Sequence, residues 1–146
     1  MPGHLTIPVP PDRLAIILMA ERRLISTGSP FEKTAGYSRA VADGQWCFVS
    51  GTTGYDYATM IMPEGVEDQT RNALATIEKT LAEAGFAMAD VVRVRYIVTD
   101  RAFVDDVFAV LGKTFGDIRP AATMVVAGLT QPEMKVEIDA TAYRPA

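Results

Sequence analysis

Histidine and cysteine each occur once in this chain of 146 residues, as His4 and Cys47. A single cysteine cannot form a disulfide within the chain, and it is typical of a reducing compartment. A catalytic triad built on histidine, or a metal site with His or Cys ligands, needs more such side chains than are present. We therefore expect no catalytic metal, and we expect Cys47 to be a buried, unreactive core residue.

Long apolar runs and clusters of basic residues are also missing. The longest early apolar run, residues 14–20, is far shorter than the roughly 20 residues that cross a bilayer. The net charge is −4, and an acidic chain meets a phosphate backbone with the wrong sign. We therefore expect a cytoplasmic protein with no membrane partner, and the charge disfavours binding of nucleic acid.

The remaining composition is that of an ordinary globular protein, with 49% hydrophobic and 22% charged residues. A chain of this length is typical of one domain and can bury a core without metals or disulfides. Four of the nine prolines lie within residues 1–11, where there is no periodicity. We predict an N-terminal arm over residues 1–20 and one folded domain over residues 21–146.

Short strands dominate the first half of that domain. Apolar, aromatic and β-branched residues predict strands over 24–27, 37–41 and 45–50, and Asp43-Gly44 predicts a hairpin turn before the last of them. Residues 28–36 are rich in Gly, Ser, Pro and Thr, which predicts a loop. Residues 51–65 predict a second loop with some strand character.

Two helices and three further strands follow. Apolar residues at helical spacing predict a helix over 66–84, with Gly85 as its stop. A second helix is predicted after Thr99 and Asp100, which are suitable N-caps. Its apolar stripe consists of Val104, Val107, Phe108, Leu111 and Phe115. The further strands are predicted over 91–98, 122–127 and 135–143, and the last alternates almost perfectly, with Val136, Ile138, Ala140 and Ala142 on one face.

This order predicts an α+β fold, a two-layer sandwich in which two helices cover one face of a mixed sheet. The opposite face is then left uncovered. Trp46, Phe48, Val92 and Val94 are too many large apolar residues to point at two helices. A sheet face that remains half apolar usually meets another subunit.

Five segments in this order resemble the Rid family, also called the YjgF-type or reactive-intermediate deaminase family. They are Gly36-Tyr37-Ser38-Arg39-Ala40-Val41, Phe48-Val49-Ser50-Gly51, Asp90-Val91-Val92-Arg93-Val94, Arg119-Pro120-Ala121-Ala122-Thr123 and Lys135-Val136-Glu137-Ile138. The resemblance covers about residues 24–144. It implies a chorismate-mutase-like protomer, and a homotrimer with a β-barrel core and ligand clefts between subunits. Active members hydrolyse enamines and imines derived from amino acids, with no metal or organic cofactor.

The resemblance also assigns site residues. Glu137 corresponds to the carboxylate thought to position the attacking water, and Tyr37, Ser50 and Thr123 correspond to residues that line the cleft. The arginine that grips the substrate carboxylate in the family falls on Ala122, which provides no charge. Losing such a bidentate cation costs about 2–5 kcal/mol unless another group replaces it.

Arg39 is our candidate replacement, because in an extended segment it shares a face with Tyr37. Purely structural roles remain open for these residues. Glu137 could pair with Arg93 or Arg95 across the sheet, Ser50 could make a turn hydrogen bond, and Ala122 could simply close the cleft.

The sequence thus predicts a small-molecule-binding trimer, and it leaves open whether the protein is an enzyme. If it is one, it is an imine or enamine deaminase with altered recognition of the acidic group. The alternatives are a non-catalytic metabolite-binding or regulatory trimer and, disfavoured by the acidic charge, an endoribonuclease-like translation inhibitor.

Overall fold

The computed structural model describes residues 21–145, so the predicted arm over residues 1–20 lies outside the described residues. The strands are β1 (Arg23–Ile25), β2 (Ala40–Asp43), β3 (Trp46–Thr52), β4 (Val91–Val98), β5 (Ala121–Val126) and β6 (Val136–Tyr143). The helices are α1 (Pro30–Ala35), α2 (Val66–Glu83) and α3 (Val104–Phe115), and short 3₁₀ turns precede β4 and α3. Among these described residues, no helix is long and apolar enough to cross a membrane.

The six strands form one mixed sheet in the order β1-β2-β3-β6-β4-β5. All neighbours are antiparallel except β4 and β5, which run parallel because α3 connects them across one face. The predicted α+β fold with a mixed sheet is therefore confirmed. The last strand of the chain, β6, lies in the middle of the sheet, between β3 and β4. Its residues therefore have neighbours on both of these strands.

The core lies between the sheet and the two long helices. Every second residue of β6 is buried, in the predicted alternation, from Val136 to Ala142. Ala73, Ile77 and Leu81 of α2 pack on that layer and are fully buried. Cys47 is buried in the same core, and burial raises the pKa of its thiol to about 11. The prediction that Cys47 is a buried core residue is confirmed, and the raised pKa of its thiol agrees with the expected low reactivity.

The predicted loop over residues 28–36 is wrong in part, because it contains the short helix α1. The Ser29 side chain accepts a hydrogen bond from the Phe31 N–H, and Pro30 occupies the first turn. Gly36 ends the helix with a φ of +72°, a left-handed conformation that glycine adopts without strain. Those capping residues are visible in the sequence, but a helix of six residues is too short to show helical periodicity.

One further assignment differs from the structure. The helical spacing predicts Phe108 in the buried stripe of α3, but the residue is 53% exposed, because it lies at the β5 edge of the sheet, near Pro120 and Ala122. Of the four apolar residues that cannot all point at the helices, Val94 is the one that is fully buried, and Trp46, Phe48 and Val92 are exposed. A bulge between Val91 and Arg93 shifts the pairing of β4 with β6 and so sets which side Val94 faces.

The sheet face opposite the helices is uncovered within the protomer, as the sequence predicts. Phe48 is 49% exposed and Trp46 is 43% exposed, and their rings stack on each other with centroids 6.1 Å apart. Leu24 of β1 is also exposed, on the same side of the sheet, since it pairs with Val41 of β2 and Val41 pairs with Phe48. This aromatic group, together with the outward residues of β6, forms what we call the open face of the sheet.

Candidate functional site

The carboxyl group of Glu137 lies against the backbone of Gly51. The pairing of β3 with β6 shifts by one residue between Val49 and Thr52, so β3 carries a bulge at this point. A β-carbon added to Gly51 would lie 2.8 Å from the Glu137 Cδ atom. Only glycine therefore leaves room for this carboxyl group in its observed position.

The surroundings of Glu137 raise the pKa of its carboxyl group above the usual value. Burial is the largest cause, and the neighbouring charge of Asp139 acts in the same direction, whereas the Arg39 guanidinium opposes them. A carboxylate with a raised pKa is a stronger base than a solvated one, which suits proton transfer near neutral pH. Glu137 does not pair with Arg95, since that arginine contacts Asp139 at 3.1 Å.

Arg39 is fully buried beside this carboxyl group. Its Nη1 donates to the Gly51 carbonyl at 2.8 Å and to the Thr52 hydroxyl at 3.0 Å. Its guanidinium carbon lies 4.6 Å from the centre of the Tyr57 ring, within the range of a cation–π contact. The Nε atom has no hydrogen-bond partner among the described residues. Arg39 therefore braces the β3 bulge and brings positive charge to it.

Tyr37 lies beside Arg39, as predicted from their shared face. The Arg39 Nη2 donates to the Tyr37 hydroxyl at 3.5 Å, and the ring is 36% exposed. Burial is the main cause that raises the pKa of this phenol, so the hydroxyl stays protonated at neutral pH. It can therefore offer a hydrogen bond to a ligand at the open face.

Ser50 is held by its own neighbours. Its hydroxyl donates to the Ser38 carbonyl at 2.6 Å, and its N–H donates to the Arg39 carbonyl at 2.9 Å. The hydroxyl proton is thus engaged, which matches the structural alternative raised from the sequence, and only the oxygen lone pairs remain for a ligand.

Glu32 is a buried residue of this region that the sequence analysis missed. One carboxylate oxygen accepts the Arg39 N–H at 3.2 Å, and the other accepts the N–H of Thr27 at 3.1 Å and its hydroxyl at 2.6 Å. Burial acts to raise the pKa of Glu32, but these hydrogen bonds and the Arg39 charge together hold it below the usual value. Glu32 fixes α1 to the start of β2 and so positions Tyr37 and Arg39.

Ala122 and Thr123 lie elsewhere in the protomer. Both are on the edge strand β5, two strands from β6, which corresponds to roughly 10 Å. Thr123 pairs with Arg95 and shares the open face with Glu137, whereas Ala122 pairs with the buried Val94 and faces the helices. The structure therefore brings together Tyr37, Arg39, Ser50 and Glu137, and it does not bring the two β5 residues to them within one protomer.

Tyr57, Thr52 and Gly51 complete the group, and only Gly51 carried any signal in the sequence, as the residue after Ser50. The loop that holds Tyr57 has no periodic pattern from which its position could be read. Within residues 21–145, no three His, Cys, Asp or Glu side chains are grouped so that they could share a metal ion.

Residues 27–144 match a family model described as endoribonuclease L-PSP. An uncharacterised protein of Streptomyces coelicolor is 34% identical over 126 residues, which is 85% of this chain and 93% of that protein. A RutC family protein of Pyrococcus horikoshii is 28% identical over 124 residues, covering 84% of this chain and 98% of the relative.

Solved structures show the same fold. A member of the YjgF/YER057c/UK114 family from Mycobacterium tuberculosis is 43% identical with a TM-score of 0.78, and the match covers 85% of this chain and 100% of that one. The YjgF gene product of E. coli is 25% identical with a TM-score of 0.76, covering 84% of this chain and 99% of the other.

Proposed function

Because the chain belongs to the family described as endoribonuclease L-PSP, whose solved members include YjgF-type proteins, we propose that it is a cytoplasmic homotrimer that binds a small metabolite in clefts between its subunits. The observation that carries this proposal is the position of Glu137. Its carboxyl group, with a raised pKa, lies on a sheet face that the protomer leaves uncovered, beside Arg39 and Tyr37.

The uncovered face supports the assembly. Trp46 and Phe48 together present a stacked aromatic surface that is nearly half exposed, and the edge strand β5 is exposed along most of its length. Burying such a surface against a second copy gains roughly 25 cal/mol per Å² of apolar area. In a closed ring, the edge strand β5 of one subunit would bring Thr123, on its open face, to the site that holds Glu137 in the next. Ala122 points to the other side of β5 but is exposed at the same edge, so a long side chain at position 122 would reach the cleft around that edge.

The residues around Glu137 support imine hydrolysis as the chemistry of the cleft. Glu137 would take a proton from a water molecule while the water oxygen adds to the carbon of the C=N bond, and it would pass this proton to the nitrogen to give a carbinolamine. Glu137 would then carry the proton of the new hydroxyl group to the nitrogen as the C–N bond breaks, so that ammonia leaves and a carbonyl compound remains. Tyr37, Ser50 and Thr123 would orient the substrate through their hydroxyl groups.

We expect this site to bind the carboxylate group of a substrate more weakly than a site with a free arginine would. Ala122 offers no charge, and the Nη1 donors of Arg39 are already used by Gly51 and Thr52. We therefore place binding ahead of catalysis, and we expect the native protein to be a poor deaminase for imines that carry a carboxylate.

A coupled assay of 2-aminoacrylate hydrolysis tests both versions, with the wild type, Ala122→Arg and Ala122→Arg combined with Glu137→Gln. Activity that appears with Ala122→Arg and falls about 100-fold with Glu137→Gln would support the deaminase site. Inactivity of all three would favour the non-catalytic binder. Efficient hydrolysis by the native protein would contradict the expected loss of carboxylate recognition, and activity of Ala122→Arg that persists when Glu137→Gln is added would contradict the proposed site.

The endoribonuclease description of the matching family favours one second candidate, an activity on RNA. The net charge of −4 supplies little counterion release on binding, so we expect weak and salt-sensitive RNA binding at most. Tight binding of single-stranded RNA at physiological salt, measured by fluorescence anisotropy, would favour the RNA activity over the small-molecule function.

A further inference from the structure

Arg39 is a fully buried cation with no carboxylate in direct contact. Within residues 21–145, no carboxylate oxygen lies within 4.0 Å of its guanidinium nitrogens. The Glu32 carboxylate accepts the backbone N–H of Arg39 instead, and the Glu137 carboxyl group lies against Gly51. Buried charges in proteins are usually paired and hydrogen-bonded, so this guanidinium is short of a partner.

The donors of the Arg39 guanidinium are used on one edge only. Nη1 donates to the Gly51 carbonyl and the Thr52 hydroxyl at 2.8 and 3.0 Å. On the other edge, Nε has no partner among the described residues, and Nη2 reaches the Tyr37 hydroxyl at 3.5 Å, which is longer than an ordinary hydrogen bond. Nε–H and Nη2–H form the fork that a planar oxyanion accepts with its two oxygens. We call this side of Arg39 the free edge.

Two tyrosine rings lie against the guanidinium, and they are held differently. The centre of the Tyr57 ring is 4.6 Å from the guanidinium carbon of Arg39, and the Tyr57 hydroxyl accepts the Thr53 N–H at 3.1 Å. The Tyr37 ring is 36% exposed, and within residues 21–145 its hydroxyl makes only the long contact to Arg39. The hydroxyl proton of Tyr37 is therefore available to a ligand, and a movement of this side chain would open the free edge.

We propose that Arg39 and Tyr37 bind a small planar oxyanion of the carboxylate class, of the size of formate or acetate. Its oxygens would accept Nε–H and Nη2–H from Arg39, and Tyr37 would donate its hydroxyl proton to one of them. The buried guanidinium would gain both the hydrogen bonds and the counter-charge that it lacks. Because Arg39 is enclosed, the site would exclude a carboxylate carried on a larger body, such as a substrate in the cleft.

The charges around this site limit its affinity. Glu32 and Glu137 both carry negative charge near Arg39 and repel an anion, so we expect saturation only at millimolar formate. The site adjoins the cleft of the proposed function, but it requires no turnover of an imine. Failure of the deaminase assay and failure of oxyanion binding are therefore separate results.

Formate and formamide test whether the free edge selects an anion. They have nearly the same planar shape, and only formate is charged. In NMR titrations of the isotope-labelled full-length protein at constant ionic strength, formate should shift the Arg39 Nε–H and Gly51 amide signals saturably, and formamide should bind at least about tenfold more weakly. Arg23 is the internal control. Its Nε also has no partner in the described part of the chain, but the residue is only half-buried, so its signal should not saturate.

Four variants locate the effect, with the Gly51 amide as the common reporter. Tyr37→Phe removes a partly exposed hydroxyl and should weaken formate binding about fivefold. Arg39→Lys keeps the charge without the fork and should abolish saturable binding. Glu137→Gln removes a repelling charge and should strengthen binding about threefold to tenfold. Tyr143→Phe, which removes another hydroxyl of the open face, is the matched control and should leave the affinity unchanged.

The proposal is overturned by equal affinity for formate and formamide, by a lack of saturation at the Arg39 signal, or by unchanged affinity in Tyr37→Phe. Weaker binding in Glu137→Gln would also place the anion elsewhere. If Arg39→Lys does not fold, the two titrations of the wild type and the Tyr37→Phe variant still decide the question.

Discussion

Gly51 and Glu137 are in contact across the bulge between β3 and β6, with the Glu137 Cδ only 2.8 Å from the position of a β-carbon on residue 51. The glycine is therefore required by the carboxyl group beside it, not by an unusual backbone angle. The same backbone unit accepts a hydrogen bond from Arg39. One residue thus sets the position of the candidate base and of the buried cation.

Gly51→Ala should displace the Glu137 side chain. We expect a loss of about 1–3 kcal/mol in the free energy of unfolding, which is typical of an overpacked site, together with weaker ligand binding in the cleft. Urea denaturation measures the first effect. Gly128→Ala is the matched control, because a β-carbon there meets no atom within 4 Å, and at this exposed loop position it should change stability by only a few tenths of a kcal/mol. Equal effects of the two variants would contradict the contact.

Glu137→Gln should make the protein more stable at neutral pH. The pKa of Glu137 is higher in the folded protein than the ordinary value of 4.5. Between those two values the folded state therefore binds more protons than the unfolded state, so stability falls as pH rises through this window. Glutamine does not ionise and avoids that loss.

The melting temperature of Glu137→Gln should therefore exceed that of the wild type at pH 7, and the difference should shrink as the pH falls below 4.5. A variant that is less stable than the wild type at pH 7 would show that the carboxylate is stabilised by its surroundings.

Glu32→Gln should destabilise the protein by about 1–3 kcal/mol, because the buried carboxylate accepts hydrogen bonds from Thr27 and Arg39 that an amide cannot fully replace. The pKa of Glu32 is lowered by folding, so its contribution is complete above the ordinary pKa of 4.5 and is lost as the pH falls through the folded value. The wild type should lose its advantage over the variant in acid. Glu78→Gln, at an exposed position of α2, should leave unfolding unchanged at every pH, and a matching loss there would rule out a specific role for Glu32.

Phe48→Asp should dissociate the proposed trimer, because it places a charge in the centre of the open face. Light scattering should give the mass of three chains for the wild type and of one chain, 15.8 kDa, for the variant at micromolar concentration. Ile61→Asp replaces another exposed apolar residue, outside the sheet, and should stay trimeric. A wild type that is monomeric under these conditions would refute the assembly.

The sequence alone determined the elements with strong local patterns. The bounds of β4 and the start of α2 were correct, and the alternation in β6 identified its buried residues, because side-chain periodicity follows directly from backbone geometry. The short α1 was missed and Phe108 was placed in the core. The helix α1 has only six residues, too few to show helical periodicity. The exposure of Phe108 depends on where the sheet beneath α3 ends, which local spacing does not reveal.

Only the tertiary structure decided how the site residues are arranged. Local spacing was enough to place Tyr37 beside Arg39, two residues apart in one extended segment. It could not predict that Arg39 is enclosed by Tyr57 and Thr52, that a one-residue bulge brings Glu137 onto Gly51, or that Ala122 faces the helices. These relationships join residues far apart in the chain, and a register shift of one residue reverses the face that a strand side chain occupies.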